Sequence, residues 1–321
     1  MNIQFNENST YLACGYNTGR LGIYPIYKLN SKKDIIFTKI SDYPITNLKW
    51  KPESQTIITA VTADGYIKQI HSSSGKIIHV IMEKNNNLNS LDYSKDGKKF
   101  CTAGDQNTVN LYDDETKTLI SKLGTKKLGI AVHSNRICCS KFNTVNDYNM
   151  IISGGWDDNL IIYDIRVNQS VASMRGPHVG GESLDFKGNM VLGGSLNRIE
   201  QVQLFDIRKM QRIASFDINI YNTKDCNCDS ENTSNIYSCK FAKNKNLFAV
   251  GGSSANFFRV YGYDNNIDDY NKNNFIVGNG INIECDSKLL EFPCYTVDFS
   301  NDDKFVAYGC ADSLITIIEI K

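Results

Sequence analysis

The chain has 321 residues, with 35 basic against 35 acidic side chains and 41% hydrophobic residues. A balanced charge gives no electrostatic reason for bulk binding to DNA, RNA or anionic lipid, and no nucleic-acid partner is expected. Met1-Asn-Ile-Gln-Phe5 has no basic region leading into an apolar run, and no uninterrupted apolar stretch of about 18 residues occurs, so neither a signal peptide nor a membrane span is expected.

In chain order, one short pattern returns seven times: an apolar residue, then polar residues, then an aromatic. It appears at Asn2-Ile-Gln-Phe5, Asn47-Leu-Lys-Trp50, Ser90-Leu-Asp-Tyr93, Ile137-Cys-Cys-Ser-Lys-Phe142, Ser183-Leu-Asp-Phe186, Ser238-Cys-Lys-Phe241 and Thr296-Val-Asp-Phe299. The aromatics are separated by 45, 43, 49, 44, 55 and 58 residues, and the two long intervals hold polar insertions. A second half follows, in which small residues precede a turn and an alternating apolar run. Examples are Leu12-Ala-Cys-Gly15 with Leu21-Gly-Ile-Tyr24, and Ile151-Ile-Ser-Gly-Gly155 with Leu160-Ile-Ile-Tyr-Asp164. Alternation of this kind predicts half-buried strands, and no window of similar length has helical spacing. Each unit therefore reads as three strands and a looser fourth, such as Lys76–Met82 or Gln211–Phe216. One four-stranded sheet cannot bury both faces, whereas seven set radially cover each other. The predicted fold is all-β: a single seven-bladed β-propeller of four-stranded antiparallel blades. The blades fall near 1–42, 43–86, 87–132, 133–178, 179–232, 233–290 and 291–321.

The unit at 133–166 resembles a WD40 repeat almost position for position. The dipeptide that closes such repeats stands here as Tyr163-Asp164, Tyr112-Asp113 and Phe205-Asp206. The resemblance implies a hydrogen-bonded structural tetrad of His133, Ser153, Asp157 and Tyr163, with a phenol in place of the usual indole at Tyr163. It also implies a clasp in which one terminus completes the last blade. Residues 2–40 already make a whole first blade and 294–321 supply three strands, so the last blade either stays three-stranded or closes unconventionally.

His133, Ser153 and Asp157 have the residue types of a catalytic triad, but they occupy the tetrad positions, and no catalytic residue is assigned. Cys226-Asn-Cys228 in the polar stretch 219–235 lacks a second ligand pair, so no metal or other cofactor is expected. This stretch and 264–274 read as insertions outside the core. Seven other cysteines (Cys14, Cys101, Cys138, Cys139, Cys239, Cys294 and Cys310) sit in strand-like segments. They read as buried free thiols that suit a reducing compartment, so a cytoplasmic location is expected, with nuclear or cytoskeletal association left open.

The turns near Trp156, Arg198 and Phe257 belong to three successive units and should share one sector of a rim, with the glycine-rich stretch Gly176–Glu182 beside them, where His178 reads equally as a tetrad histidine or as part of a contact loop. These four residues are the candidate partner-binding set. By fold-level analogy the expected function is a non-enzymatic scaffold or adaptor that binds a protein or peptide, as a monomeric subunit of a larger assembly. The alternative is a phosphoinositide-binding membrane adaptor built around Arg175. It ranks second because Met174 stands where a paired arginine would be needed, and one guanidinium grips a phosphate less well than two.

Overall fold

The computed structural model describes residues 2–28, 35–125, 131–143, 149–218, 235–254, 256–263 and 290–320. Of the expected insertions at 219–235 and 264–274, all but Asn235, which begins a strand, lie outside the described residues, and with them Cys226 and Cys228. The rest forms seven antiparallel meanders. The first contains β1 (Asn2–Phe5), β2 (Tyr11–Gly15), β3 (Arg20–Pro25) and β4 (Ile36–Lys39). The second contains β5 (Ile45–Trp50), β6 (Ile57–Thr62), β7 (Tyr66–His71) and β8 (Ile77–Met82). The third contains β9 (Leu88–Tyr93), β10 (Lys99–Gly104), β11 (Val109–Asp113) and β12 (Leu119–Leu123). The fourth contains β13 (Ile137–Phe142), β14 (Met150–Gly155), β15 (Asn159–Asp164) and β16 (Gln169–Arg175). The fifth contains β17 (Leu184–Lys187), β18 (Met190–Gly194), β19 (Val202–Asp206) and β20 (Gln211–Phe216). The sixth shows β21 (Asn235–Phe241), β22 (Leu247–Ser253) and β23 (Phe257–Gly262) among the described residues. The seventh has β24 (Cys294–Phe299), β25 (Phe305–Cys310) and β26 (Ile315–Glu319). The predicted aromatics end the first strand of six sheets, and in the fifth Phe186 stands one residue before the end of β17. Ile26–Lys28 is the one helical turn among the described residues, a 3-10 turn.

The core lies between sheets rather than within them. Trp50, Ile58 and Ile70 of the second blade pack on Leu21 and Ile23 of the first, and Ile152 and Ile162 of the fourth pack on Leu184 and Phe205 of the fifth. Each such side chain contributes about 1.5–3 kcal/mol when fully buried. The first strands form the inner ring, each beside the first strand of the next blade, and β1 beside β24. Five of them carry a β-bulge four residues before the aromatic, at Thr46, Asn89, Cys138, Tyr237 and Tyr295. A bulge re-aims its side chain. The Thr46 hydroxyl thereby donates to Leu88 O of the next blade at 2.6 Å, and Asn89 Nδ2 donates to Ile137 O at 3.1 Å.

Inner-strand N–H groups that face the neighbouring blade would be orphaned without acceptors. Side chains of that neighbour supply them. Asn2 Oδ1 accepts from Leu48 N, Ser90 Oγ from Ser140 N and Ser238 Oγ from Val297 N. The ring closes by the same device. Ile3 N donates to Thr296 Oγ1 at 3.1 Å and Phe5 N to Asp298 Oδ2 at 2.8 Å. Among the described residues each sheet contains consecutive strands only, so the last blade there is three-stranded, and packing and side-chain hydrogen bonds join it to the first.

Candidate functional site

Three clusters of polar side chains stand out. The first is the predicted His133 set. His133 Nδ1 lies 2.9 Å from both carboxylate oxygens of Asp157, and Nε2 lies 2.7 Å from Ser153 Oγ. Ser153 Oγ and Tyr163 Oη stand 3.5 Å apart, a long last link that follows from the phenol at this position. Burial pushes the Asp157 carboxyl up, but hydrogen bonds from His133 and Ser134 N outweigh it and hold the group below the usual carboxylate range. The His133 and Asp157 side chains are 0% and 2% exposed. A triad needs a nucleophile that substrate can reach, and this serine is fully buried. The geometry is that of a blade-internal brace.

Sequence reading found one such set and missed a second. In the third blade Thr102 and Tyr112 occupy the positions of Ser153 and Tyr163, by register against Tyr93 and Phe100. A glutamate replaces the histidine: Glu83 accepts from Thr102 Oγ1, from Tyr112 Oη at 2.9 Å, and from Asn86 and Asn110 Nδ2 at 2.6 and 2.5 Å. The available signal was Thr102 with Tyr112 at the right spacing, but a search keyed on histidine passes over it.

The second cluster fills the axis. The residue before each blade aromatic is, in order, Gln4, Lys49, Asp92, Lys141, Asp185, Lys240 and Asp298. Acceptors stand in the odd blades and lysines in the even ones. Each acceptor receives the aromatic's N–H from the next blade: Gln4 from Trp50, Asp92 from Phe142, Asp185 from Phe241 and Asp298 from Phe5. The lysines cannot accept: Lys49 and Lys141 reach inward, while Lys240 Nζ pairs with Asp185 Oδ1 at 3.5 Å. Lys49 Nζ meets Glu182 Oε1 at 2.5 Å, Lys141 Nζ meets the same oxygen, and Asn2 Nδ2 donates to Glu182 Oε2 at 2.5 Å. Glu182 precedes the fifth blade yet touches the first, second and fourth, which is possible only on the axis. The glycines before it allow this: a Cβ on Gly181 would lie 2.4 Å from Tyr237 O, and one on Gly180 2.3 Å from Leu196 Cδ1. Burial pushes the Glu182 carboxyl up, but the three surrounding ammonium groups of Lys141, Lys49 and Lys240 hold it well below the usual range.

The third cluster is the rim sector above the fourth and fifth blades. Trp156 is 41% exposed, with the Arg136 guanidinium 4.5 Å from its ring centre and the His178 ring stacked at 6.0 Å and 27°. His178 does not sit in a second tetrad. Its Nδ1 lies 2.7 Å from Asp158 Oδ1, and Gly193 occupies the register position of Ser153. Beside it opens a depression of about 620 Å³ that includes Asp158, Arg175, Arg198, Ile199, Glu200 and Arg212. Arg212 is tied to Glu200 at 2.5 Å, Arg175 stands 4.0 Å from Asp158, and Arg198 makes no ion pair among the described residues. Phe257 does not join this patch. It is 4% exposed, because it pairs in register with Gly252 and its ring lies where a Gly252 Cβ would be, within the core formed by Ile236 and Phe248. Among the described residues no three His, Cys, Asp or Glu side chains are grouped as metal ligands, and no helix is long and apolar enough to cross a membrane.

Residues 12–89 match the family described as the anaphase-promoting complex subunit 4 WD40 domain, and residues 75–113 match the WD domain, G-beta repeat. Among curated proteins, the histone acetyltransferase type B subunit 2 of Candida glabrata is 28% identical over 170 residues, 51% of this chain and 38% of its own length. The eukaryotic translation initiation factor 3 subunit I of Bombyx mori is 28% identical over 99 residues, 31% of this chain and 30% of its own. An LEC14B homolog of Prunus armeniaca is 24% identical over 235 residues, 66% and 47% respectively. The chain thus spans less than half the length of each of these relatives. With seven radial meanders, a His–Ser–Asp brace and two WD40 models matched within residues 12–113, this chain is a seven-bladed β-propeller similar to the WD40-repeat family.

Proposed function

We propose that this propeller is a non-enzymatic interaction scaffold, a subunit of a larger assembly, whose rim sector at Trp156, His178 and Arg198 receives a protein partner. The observation that carries the reading is the indole of Trp156. A large ring left 41% exposed, held rigid between a guanidinium and an imidazole, loses little entropy on being covered. The adjoining depression supplies exposed Ile199 and Arg198, which makes no ion pair among the described residues. Two of the relatives bear the word subunit in their names, which suits a role in an assembly. Burial of seven free thiols suits a reducing, cytoplasmic setting. The phosphoinositide reading ranks second: the depression presents Asp158 and Glu200 beside its arginines, and these carboxylates oppose a phosphate.

The test is affinity capture from native extract with the Trp156→Ala, Arg198→Ala double variant beside the unmodified chain. The variant should lose partners while its melting temperature stays the same, since both side chains lie outside the core. Identical partner profiles would remove this sector from the reading. Capture of the unmodified chain by phosphoinositide vesicles, lost on Arg175→Ala, with no protein partner captured by the unmodified chain, would favour the lipid alternative.

A further inference from the structure

Cys294 and Cys310 face each other directly across β24 and β25. One step beyond them Ala311 N donates to Pro293 O at 3.0 Å, while Cys310 N turns the other way, to Leu314 O at 3.1 Å. This pattern makes the two cysteines a non-hydrogen-bonded antiparallel pair, the kind whose Cα atoms approach to about 4.5 Å with side chains on one face. A disulfide spans Cα separations of about 4.4–6.8 Å. Cys294 is confined: Gly251 leaves only enough room for its sulfur, which would lie 2.4 Å from a Cβ there. Cys310 ends its strand, and the turn after it exposes Ala311, Ser313 and Leu314.

We propose that Cys294 and Cys310 form an oxidisable dithiol, which a hydroperoxide converts to a disulfide stapling the first two strands of the seventh blade. The Cys310 thiolate attacks one oxygen of hydrogen peroxide. The O–O bond breaks, the departing hydroxide takes a proton to become water, and Cys310 is left as a sulfenic acid. The Cys294 sulfur, giving up its proton, then attacks the Cys310 sulfur. The S–S bond forms, the S–O bond breaks, and a second water leaves. Two thiols are oxidised and one peroxide is reduced. Cys310 is the attacking partner because the hydrogen bond from Cys294 pulls its thiol down, whereas burial pushes Cys14, Cys101, Cys138, Cys139, Cys239 and Cys294 up.

The experiment uses the full chain with Cys226, Cys228 and Cys285 replaced by serine, which removes the cysteines outside the described residues as competing partners. After brief exposure to hydrogen peroxide the remaining thiols are alkylated and the tryptic peptides weighed. Trypsin separates Leu289–Lys304 from Phe305–Lys321, so a bond between them joins two peptides and disappears with dithiothreitol. The joined pair should form about tenfold faster than oxidation at any other cysteine. With Cys294→Ser, Cys310 should be trapped by dimedone as the sulfenic acid; with Cys310→Ser, Cys294 should stay a thiol. A Cys310 that remains alkylatable, or that proceeds to sulfinic acid in the presence of Cys294 without joining it, overturns the proposal. The measurement on the chain retaining both cysteines decides even if either serine variant fails to fold.

Discussion

Glu182→Gln should destabilise the whole ring, because one carboxylate neutralises two lysines from different blades. The Lys49, Lys141 and Glu182 side chains are 6%, 4% and 12% exposed, so water screens them little. Glutamine keeps the shape and one acceptor oxygen but leaves two ammonium groups facing each other across the axis. Removing one partner of a buried ion pair costs about 3–5 kcal/mol. Against a typical total stability of about 5–15 kcal/mol, the variant stays folded but marginal. Urea denaturation followed by circular dichroism measures the loss. Adding Lys141→Met to Glu182→Gln should recover part of it, since the second change removes an orphaned charge; the double variant then costs less than the sum of the singles. The pH dependence has a defined sign. The folded carboxyl titrates below its unfolded value of about 4.3, so its contribution is complete above that value and fades as pH falls toward the folded one. The stability gap between the unmodified chain and Glu182→Gln should therefore shrink on acidification below about pH 4.3. A loss under about 1 kcal/mol at neutral pH, the range of an exposed pair, would refute a buried axial carboxylate.

Four further outcomes are expected. His133→Ala should lower stability by about 1–3 kcal/mol by leaving Ser153 and Asp157 without their shared partner, and an unchanged melting temperature would show that the brace does not form. Asp298→Ala should cost a similar amount, about 1–3 kcal/mol, by orphaning Phe5 N at the ring seam; amide exchange at Phe5 should rise, and unaltered exchange there would count against the seam bond. Gly181→Ala should displace Glu182, because its methyl meets Tyr237 O, and should reproduce much of the Glu182→Gln loss in the same urea titration. Trp156→Ala alone should cost under about 1 kcal/mol, the size of an exposed cation–π contact, and a collapsed fold would show that its ring holds the blades together.

Much of the molecule was legible along the chain. The seven aromatics, the alternating runs and the small residues before each turn are local signals, and each ends up where a blade's inner strands require it. The His133 brace was legible for the same reason, as four side chains at repeat positions within one blade. Glu83 was not, because it performs the histidine's role with a different functional group. The alternation of acceptor and lysine before the aromatics is also written in the chain, but its meaning is not: acceptors serve the next blade's N–H, while Lys49 and Lys141 serve a residue on the axis.

What the sequence by itself determined is the repeated unit, since strand period, turn chemistry and the blade aromatic depend on neighbours a few residues away. What only the tertiary structure decided are relations between units. Glu182 reaches three other blades, Phe257 turns onto Gly252 and out of the rim, His178 takes Asp158 rather than a serine, and Cys310 meets Cys294 in a non-hydrogen-bonded pair. Each depends on register and on which sheet stands alongside. Those are set by closing the ring, where one residue's partner can lie almost the whole chain away, as Asp298 does from Phe5.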